Sequence, residues 1–301
     1  MIKPKPAWIK VKLPGQGEYR DVDEILKDLK LNTVCRSARC PNIADCWGRR
    51  TATIMILGDV CTRGCRFCAV TTGNPRGVLD ETEPERVAEA VRRMGLKYVV
   101  LTSVDRDDIE DAGAGYFAKT IELIKKDNPH VLVEPLIPDF CNGDAGDRHV
   151  VRDRLKMIVD ARPDVIAHNL ETVERLTSHV RDRRASYRLS LDVLLAVKEI
   201  KPGMTTKSGI MVGLGEMDEE VYDTMYDMRE VGVDILTIGQ YLQPTRNHLT
   251  VERFVTPEQF KEYERRAKEM GFISAACSPL VRSSYHAEDA SILPKKEAKT
   301  I

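Results

Sequence analysis

The stretch Ala52-Thr-Ile-Met-Ile-Leu57-Gly58-Asp-Val-Cys61-Thr-Arg-Gly-Cys65-Arg-Phe-Cys68 decides how this chain reads. Residues 52–57 form a short apolar run of strand length. The cysteines that follow stand in a C-x3-C-x2-C array, in the loop at the strand's C-terminal end. Three thiolates within eight residues can wrap one metal centre. Closed zinc and [4Fe–4S] sites use four ligands, so this set is one short. The shortage can be functional, because a [4Fe–4S] cluster on three cysteines leaves one iron free to bind a substrate. Gly64 and the short spacers let the loop curl around a cluster. A zinc knuckle completed by a distant ligand is the alternative.

The same texture continues outward. Further strand-length apolar runs lie at 97–101, 131–134, 165–168, 208–212 and 234–238, with segments of helical period between them. The helix expected over 83–94 puts Val87, Ala88, Val91 and Met94 on one face. Others are expected near 115–126, 152–160, 171–179, 187–200, 219–230 and 257–270. The last begins with Thr256 as N-cap, Pro257 in the first helical position and Gln259 completing a capping box. Six strand–helix units imply an α/β fold with a parallel sheet and right-handed crossovers. Eight units would close a TIM-like barrel, so six suggest a partial (β/α)6 barrel; a doubly wound sheet is the alternative. Either fold gathers active-site groups at the C-terminal strand ends. Residues 1–50 read as an extension with one short helical stretch over 22–31, residues 51–270 as the barrel, and residues 271–301 as a second extension. The last can add one strand before a charged tail that is expected to be disordered or extended. The two extensions are expected to cover the barrel's open face.

The chain has 301 residues, 42% of them hydrophobic, which is enough for a large core. Its 46 basic and 47 acidic residues nearly cancel, which argues against general nucleic-acid binding. Arg181, Arg183 and Arg184 read as a solvated helix face. No apolar run approaches the roughly 20 residues that span a bilayer. The N-terminal Met-Ile-Lys-Pro-Lys-Pro lacks the features of a signal or transit peptide. The expectation is a soluble, cytoplasmic protein, from a prokaryote, with no membrane partner. Six of the eight cysteines lie between Cys35 and Cys68, which points to metal rather than disulfides. Cys141 and Cys277 stand alone and read as ordinary thiols.

The array at Cys61, Cys65 and Cys68, with Phe67 before its last cysteine, resembles the signature of the radical S-adenosylmethionine (SAM) superfamily. The resemblance favours the partial barrel, since that family is built on a (β/α)6 core. It implies that the open iron chelates the methionine moiety of SAM, and that reductive cleavage of the C5′–S bond yields a 5′-deoxyadenosyl radical. The protein would position the cofactor, exclude water and set the cluster potential. Candidate cofactor contacts then fall at strand ends. Thr102, Ser103 and Asp105 stand where the superfamily often has Gly-Gly-Glu for the methionine amine. Asn169 and Glu171 can hydrogen-bond ribose hydroxyls. The segment 207–216 supplies Lys207 and Glu216 as further candidates, and glycines that permit close approach of a nucleoside.

Upstream lies Cys35-Arg-Ser-Ala-Arg-Cys40-Pro-Asn-Ile-Ala-Asp-Cys46-Trp47, spaced C-x4-C-x5-C. A three-cysteine zinc site pinning the arm is one reading, and a second iron–sulfur cluster is the other. The segment resembles the lipoyl synthase family. So do Lys5-Pro-Ala-Trp8, residues 101–108, Pro138-Asp-Phe140, residues 168–173, 206–216 and 237–244, and Pro279-Leu-Val-Arg282-Ser-Ser-Tyr-His286. Tyr187-Arg-Leu-Ser-Leu191 and Ala275-Ala-Cys277-Ser-Pro279 depart slightly from the family pattern. The resemblance implies two [4Fe–4S] clusters, one on Cys61, Cys65 and Cys68 and a sacrificial one on Cys35, Cys40, Cys46 and a serine. Adjacent serines on extended chain point opposite ways, so only one of Ser283 and Ser284 can bind, and the family favours Ser284. A serine oxygen is a poor match for soft iron and could be released. The implied substrate is an octanoyl-lysine of a lipoyl-carrier protein (an E2 subunit or glycine-cleavage H protein), sulfurated at C6 and C8 with two SAM. A ferredoxin or flavodoxin donor and a cluster-assembly carrier are implied as partners. A radical enzyme with an electron-transfer cluster and another substrate is the rival.

Overall fold

The structure, a computed structural model, describes residues 3–11, 17–49, 51–142 and 148–284. Eight strands lie side by side in chain order: β1 (Asn32–Thr33), β2 (Thr53–Ile56), β3 (Tyr98–Ser103), β4 (Leu132–Leu136), β5 (Val165–Ala167), β6 (Thr205–Val212), β7 (Ile235–Gln240) and β8 (Ser274–Ser278). Strands β2 to β8 are parallel, and β1 runs antiparallel to β2 with Thr33 opposite Ile54. Near the N-terminus come α1 (Glu18–Asp28), α2 (Val34–Ser37) and α3 (Ile43–Gly48). The crossovers are α4 (Glu83–Met94), α5 (Ala114–Asp127), α6 (Arg148–Asp160), α7 (Thr177–Val180) with α8 (Tyr187–Ile200), α9 (Asp218–Glu230) and α10 (Pro257–Glu269).

The six expected strands are all present. They are buried nearly throughout because helices cover one face of the sheet and strand curvature encloses the other. A seventh parallel strand, β8, comes from the segment after Phe272. The expected 171–179 helix is shorter, a 3-10 turn at Glu174–Leu176 and then α7. Its start is delayed because Glu171 bridges to Ile210 of β6 with φ 69°, which continues the strand edge. The capping box at α10 is half formed. Thr256 Oγ1 accepts from Gln259 N at 3.3 Å, but the Gln259 side chain turns to Tyr222 instead. Residues 17–49 share one apolar core with the barrel, since Val22, Leu26 and Trp47 pack with β2 and α4.

The sheet order ends at β1 on one side and β8 on the other. Among the described residues, side chains rather than strand pairing bridge that gap. After β8 the chain turns back as a strap, residues 279–284. Asn42 Nδ2 donates to Leu280 O at 2.6 Å, and Thr53 Oγ1 of β2 donates to Ser284 Oγ at 2.6 Å. The strap lies hard against β7: a Cβ added to Gly239 would be 2.1 Å from Val281 O. Gly239→Ala is therefore expected to push the strap away and lower unfolding free energy by about 1–3 kcal/mol. Gly203, with nothing within 4 Å of an added Cβ, is expected to tolerate alanine within about 0.5 kcal/mol. Urea unfolding of both variants checks the contrast.

Candidate active site

Strand β2 stops because Leu57 and Gly58 both take positive φ, 69° and 90°. The freed backbone groups go to buried side chains. Leu57 N donates to Glu83 Oε2 at 2.8 Å, and Arg106 Nη1 donates to Leu57 O at 3.1 Å. The cysteine loop starts from this pinned turn. Between its first two cysteines, Arg63 turns inward and is 5% exposed. It makes paired hydrogen bonds to Asp139 after β4 (2.6 and 2.7 Å) and to Asp107 after β3 (3.0 and 2.8 Å). Asp105 lies 3.4 Å from its Nε. Burial pushes the Asp139 carboxyl up, but Arg63 outweighs it and holds the group at about 2. Burial raises Asp105 to about 6 despite the same guanidinium.

The thiols of this loop accept backbone N–H groups. Asp105 N donates to Cys61 Sγ at 3.3 Å, and Asp182 N to Cys65 Sγ at 3.2 Å. Asp182 also takes Gly64 N at 2.8 Å. Burial pushes Cys61 and Cys65 up to about 12 and Cys68 up to about 11. Half-buried thiols with amide donors on their sulfurs, and no disulfide among them, suit a cation that takes them as thiolates. Upstream, Thr33 caps α2, which carries Cys35, and Cys40 N closes on Cys35 O at 3.0 Å. Cys46 lies in α3.

One cavity of about 700 Å³ inside the barrel is lined by both thiol triads and by Arg282, Ser283 and Ser284. Thr102, Ser103, Asp105, Asn169 and Glu171 also line it. Ser103 Oγ and Asn169 Oδ1 are buried without a partner, which fits a polar ligand in this part of the cavity. Ser283 and Ser284 face opposite walls: Asn169 Nδ2 donates to Ser283 Oγ at 2.7 Å, whereas Ser284 meets Thr53. Tyr285 lies outside the described residues.

Two expected cofactor contacts lie elsewhere. Lys207 pairs with Glu134 at 2.9 Å, and Tyr98 donates to the same carboxylate; neither Lys207 nor Glu134 lines the cavity. Alternation along β6 points Lys207 inward like Gly209, but two residues deeper. Glu216 accepts Gly213 N and Leu214 N, at 2.7 and 2.8 Å, and so closes its own turn. Gly209 of β6 lines the cavity, and it and Gly213 just after the strand are also required by packing. A Cβ on Gly209 would meet Thr237 Oγ1 at 2.2 Å, and one on Gly213 would meet Gln240 Nε2 at 2.1 Å. The supposed solvated arginine face is also partly internal. Arg181 lines the cavity and donates to Ser190 Oγ at 2.8 Å, and Arg184 donates to Thr62 O at 2.7 Å; only Arg183 is exposed. Sequence reasoning missed the roles of Arg63, Asp107, Asp139, Thr53 and Asn42. Arg63 inside the array, with Asp105-Arg-Asp107 in the 101–108 stretch and Pro138-Asp-Phe140, was the available signal.

Residues 55–228 match the Radical SAM superfamily. Solved structures with similar folds include methylornithine synthase (TM-score 0.54, 14% identity, 86% of this chain and 76% of that one). The FeFe-hydrogenase maturase HydG from Carboxydothermus hydrogenoformans is another (TM-score 0.55, 13%, 88% and 74%). The fold and its site thus define a radical SAM enzyme, dependent on SAM and iron–sulfur. Lipoyl synthases of Francisella tularensis subsp. novicida and Thermus thermophilus are 55% and 54% identical over 284 residues, 94% of this chain and 84% and 85% of theirs. The chain belongs to the lipoyl synthase family of sulfur-inserting enzymes. Among the described residues, no helix is long and apolar enough to cross a membrane.

Arg63→Met leaves the buried Asp139 carboxylate without its cation, while Asp107 keeps Arg184. It is expected to cost about 3–5 kcal/mol of stability and to reduce iron at the Cys61 loop. Arg63→Lys should not rescue it, because an ammonium cannot match two carboxylate pairs. Urea unfolding and iron analysis of the two variants test this. A second expectation concerns His168. Its Nδ1 donates to Ile137 O at 2.9 Å, so Nε2 accepts from Ser190 Oγ at 3.0 Å. Burial, then the Arg181 charge, lowers it from 6.5 to about 4. The unfolded chain therefore takes up this proton first as pH falls. Stability should drop by up to about 3 kcal/mol between pH 6.5 and 4, and His168→Gln should flatten that drop in urea titrations.

Proposed function

We propose that this enzyme inserts two sulfur atoms, at C6 and C8, into an octanoyl chain amide-linked to a lysine of a lipoyl-carrier protein. Two [4Fe–4S] clusters serve it, one on Cys61, Cys65 and Cys68 and one on Cys35, Cys40, Cys46 and Ser284. The carrying observation is the single cavity: both triads and the serine pair face one space of about 700 Å³. When bound, SAM with the first cluster supplies hydrogen-abstracting radicals, two SAM per product, and the second cluster supplies the sulfur.

The chain's own residues bind, orient and shield. Arg63 and its carboxylates hold the Cys61–Cys68 loop against the ends of β3 and β4. Ser103, Asn169 and Glu171 offer polar groups to SAM. Thr102 is a weaker candidate, since its hydroxyl donates to Leu136 O at 3.3 Å. Asp105 accompanies Cys61 and bears on the loop thiols. Phe67, Ile210 and Met211 give the cavity apolar wall that suits an alkyl chain. Ser284 is favoured over Ser283 because Ser283 is engaged by Asn169 while Ser284 meets Thr53, beside Cys35. The carrier would be an E2 subunit or H protein, the reductant a ferredoxin or flavodoxin, and a cluster-assembly carrier would rebuild the spent centre. The setting would be the cytoplasm.

The anaerobically reconstituted protein is expected to hold close to eight irons and eight sulfides, as two four-iron clusters require. Given an octanoyl-lysine peptide, SAM and a reductant, it should yield a dithiolane by mass spectrometry. Deoxyadenosine without sulfur gain would favour an electron-transfer role for the second cluster. Zinc without iron would sink both readings.

A further inference from the structure

We propose that Thr53 is the positioning residue that presents Ser284 to the upstream cluster and holds it there as an oxygen ligand. This rests on the reading that Ser284 completes the cluster of Cys35, Cys40 and Cys46. Thr53 opens β2, is 4% exposed and lines the shared cavity. Its hydroxyl donates to Ser284 Oγ at 2.6 Å. Its backbone N–H lies against the Cys35 sulfur. One residue therefore touches both a thiol ligand and the hydroxyl ligand of the same centre.

The placement follows from register. Strand β1 pairs antiparallel with β2, Thr33 opposite Ile54, so the pairing runs on toward Val34 and Thr53. Cys35, at the start of α2, then falls beside Thr53. From the other side the strap brings Ser284 across the gap between β8 and β2. The chemistry requires a donor at this point. As an iron ligand, Ser284 would be an alkoxide, its proton given up to solvent, and could only accept hydrogen bonds. A charge-assisted O–H···O bond from Thr53 then stabilises the bound form selectively. Threonine suits the task because its branched Cβ restricts χ1 and fixes the hydroxyl's direction. Ser283 has no such partner on this wall, being held by Asn169.

The test uses the full chain with Cys61, Cys65 and Cys68 replaced by alanine, so that only the upstream triad holds iron. After anaerobic reconstitution, iron release to a chelator is followed by absorbance, and the oxygen-ligated iron by Mössbauer spectroscopy. Thr53→Val keeps the shape and removes the donor. It should speed iron release roughly tenfold and shift the signal of that iron. Thr53→Ser restores the donor and should return release to within about twofold of the parent. Thr53→Val should add nothing in a Ser284→Ala background. The inference is overturned if Thr53→Val matches the parent, or if Thr53→Ser is as fast as Thr53→Val, which would show that a hydroxyl donor at this position does not slow release. If Ser284→Ala itself leaves release and spectrum unchanged, the serine-ligand reading fails. If Ser284→Ala acts and Thr53→Val does not, only the role of Thr53 fails.

Discussion

A single buried guanidinium organises the active edge of this barrel. Arg63 lies between Cys61 and Cys65 and draws in carboxylates from the loops after β3 and β4. A charge taken out of water is tolerable only with well-aligned partners, and the planar fork of arginine matches two carboxylates at once. The loop's path is therefore dictated by where Asp107 and Asp139 stand. Those positions are in turn set by the ends of adjacent parallel strands, which the sheet fixes. Three thiols on a loop, whose Val60–Cys61 pairs among the described residues only with Thr71–Thr72, thus inherit the rigidity of the main sheet.

A second constraint comes from the incompleteness of the barrel. Six strand–helix units and one further strand leave a gap between β8 and the β1–β2 edge. The N-terminal helices and the strap after β8 meet there, joined by Asn42 to Leu280 and by Thr53 to Ser284. Polar groups at such a seam would be costly if unpaired, and most find partners within it. The same seam brings the upstream triad and the serine pair to the cavity that the Cys61 loop already borders. The contacts that close the fold also line the cavity.

The floor of the cavity explains why some strand residues stay out of the chemistry. Tyr98, Glu134 and Lys207 satisfy one another deep in the barrel. A lysine on a strand of a ligand-binding barrel invites a functional reading. Its depth along the strand, and a carboxylate two strands away, assign it to the interior network instead. Glu216 behaves alike, closing a turn through Gly213 and Leu214.

The strands, most helices and both cysteine triads were legible in the chain because they rest on local spacing. Apolar runs of strand length, a 3.6-residue period and clustered thiols leave their marks within a few dozen residues. Helix 171–179 was misread because Glu171 pairs with Ile210, a contact nearly forty residues away that no local pattern records. The choice between Ser283 and Ser284, the partners of Arg63 and the depth of Lys207 share that origin. Each depends on which distant strand lies opposite and on register, where a shift of one residue turns a side chain to the other face. The sequence by itself determined the radical SAM class and the parallel α/β plan. Only the tertiary structure decided which donors share one cavity, because that is settled by strand order, register and the return of the strap across the open sheet.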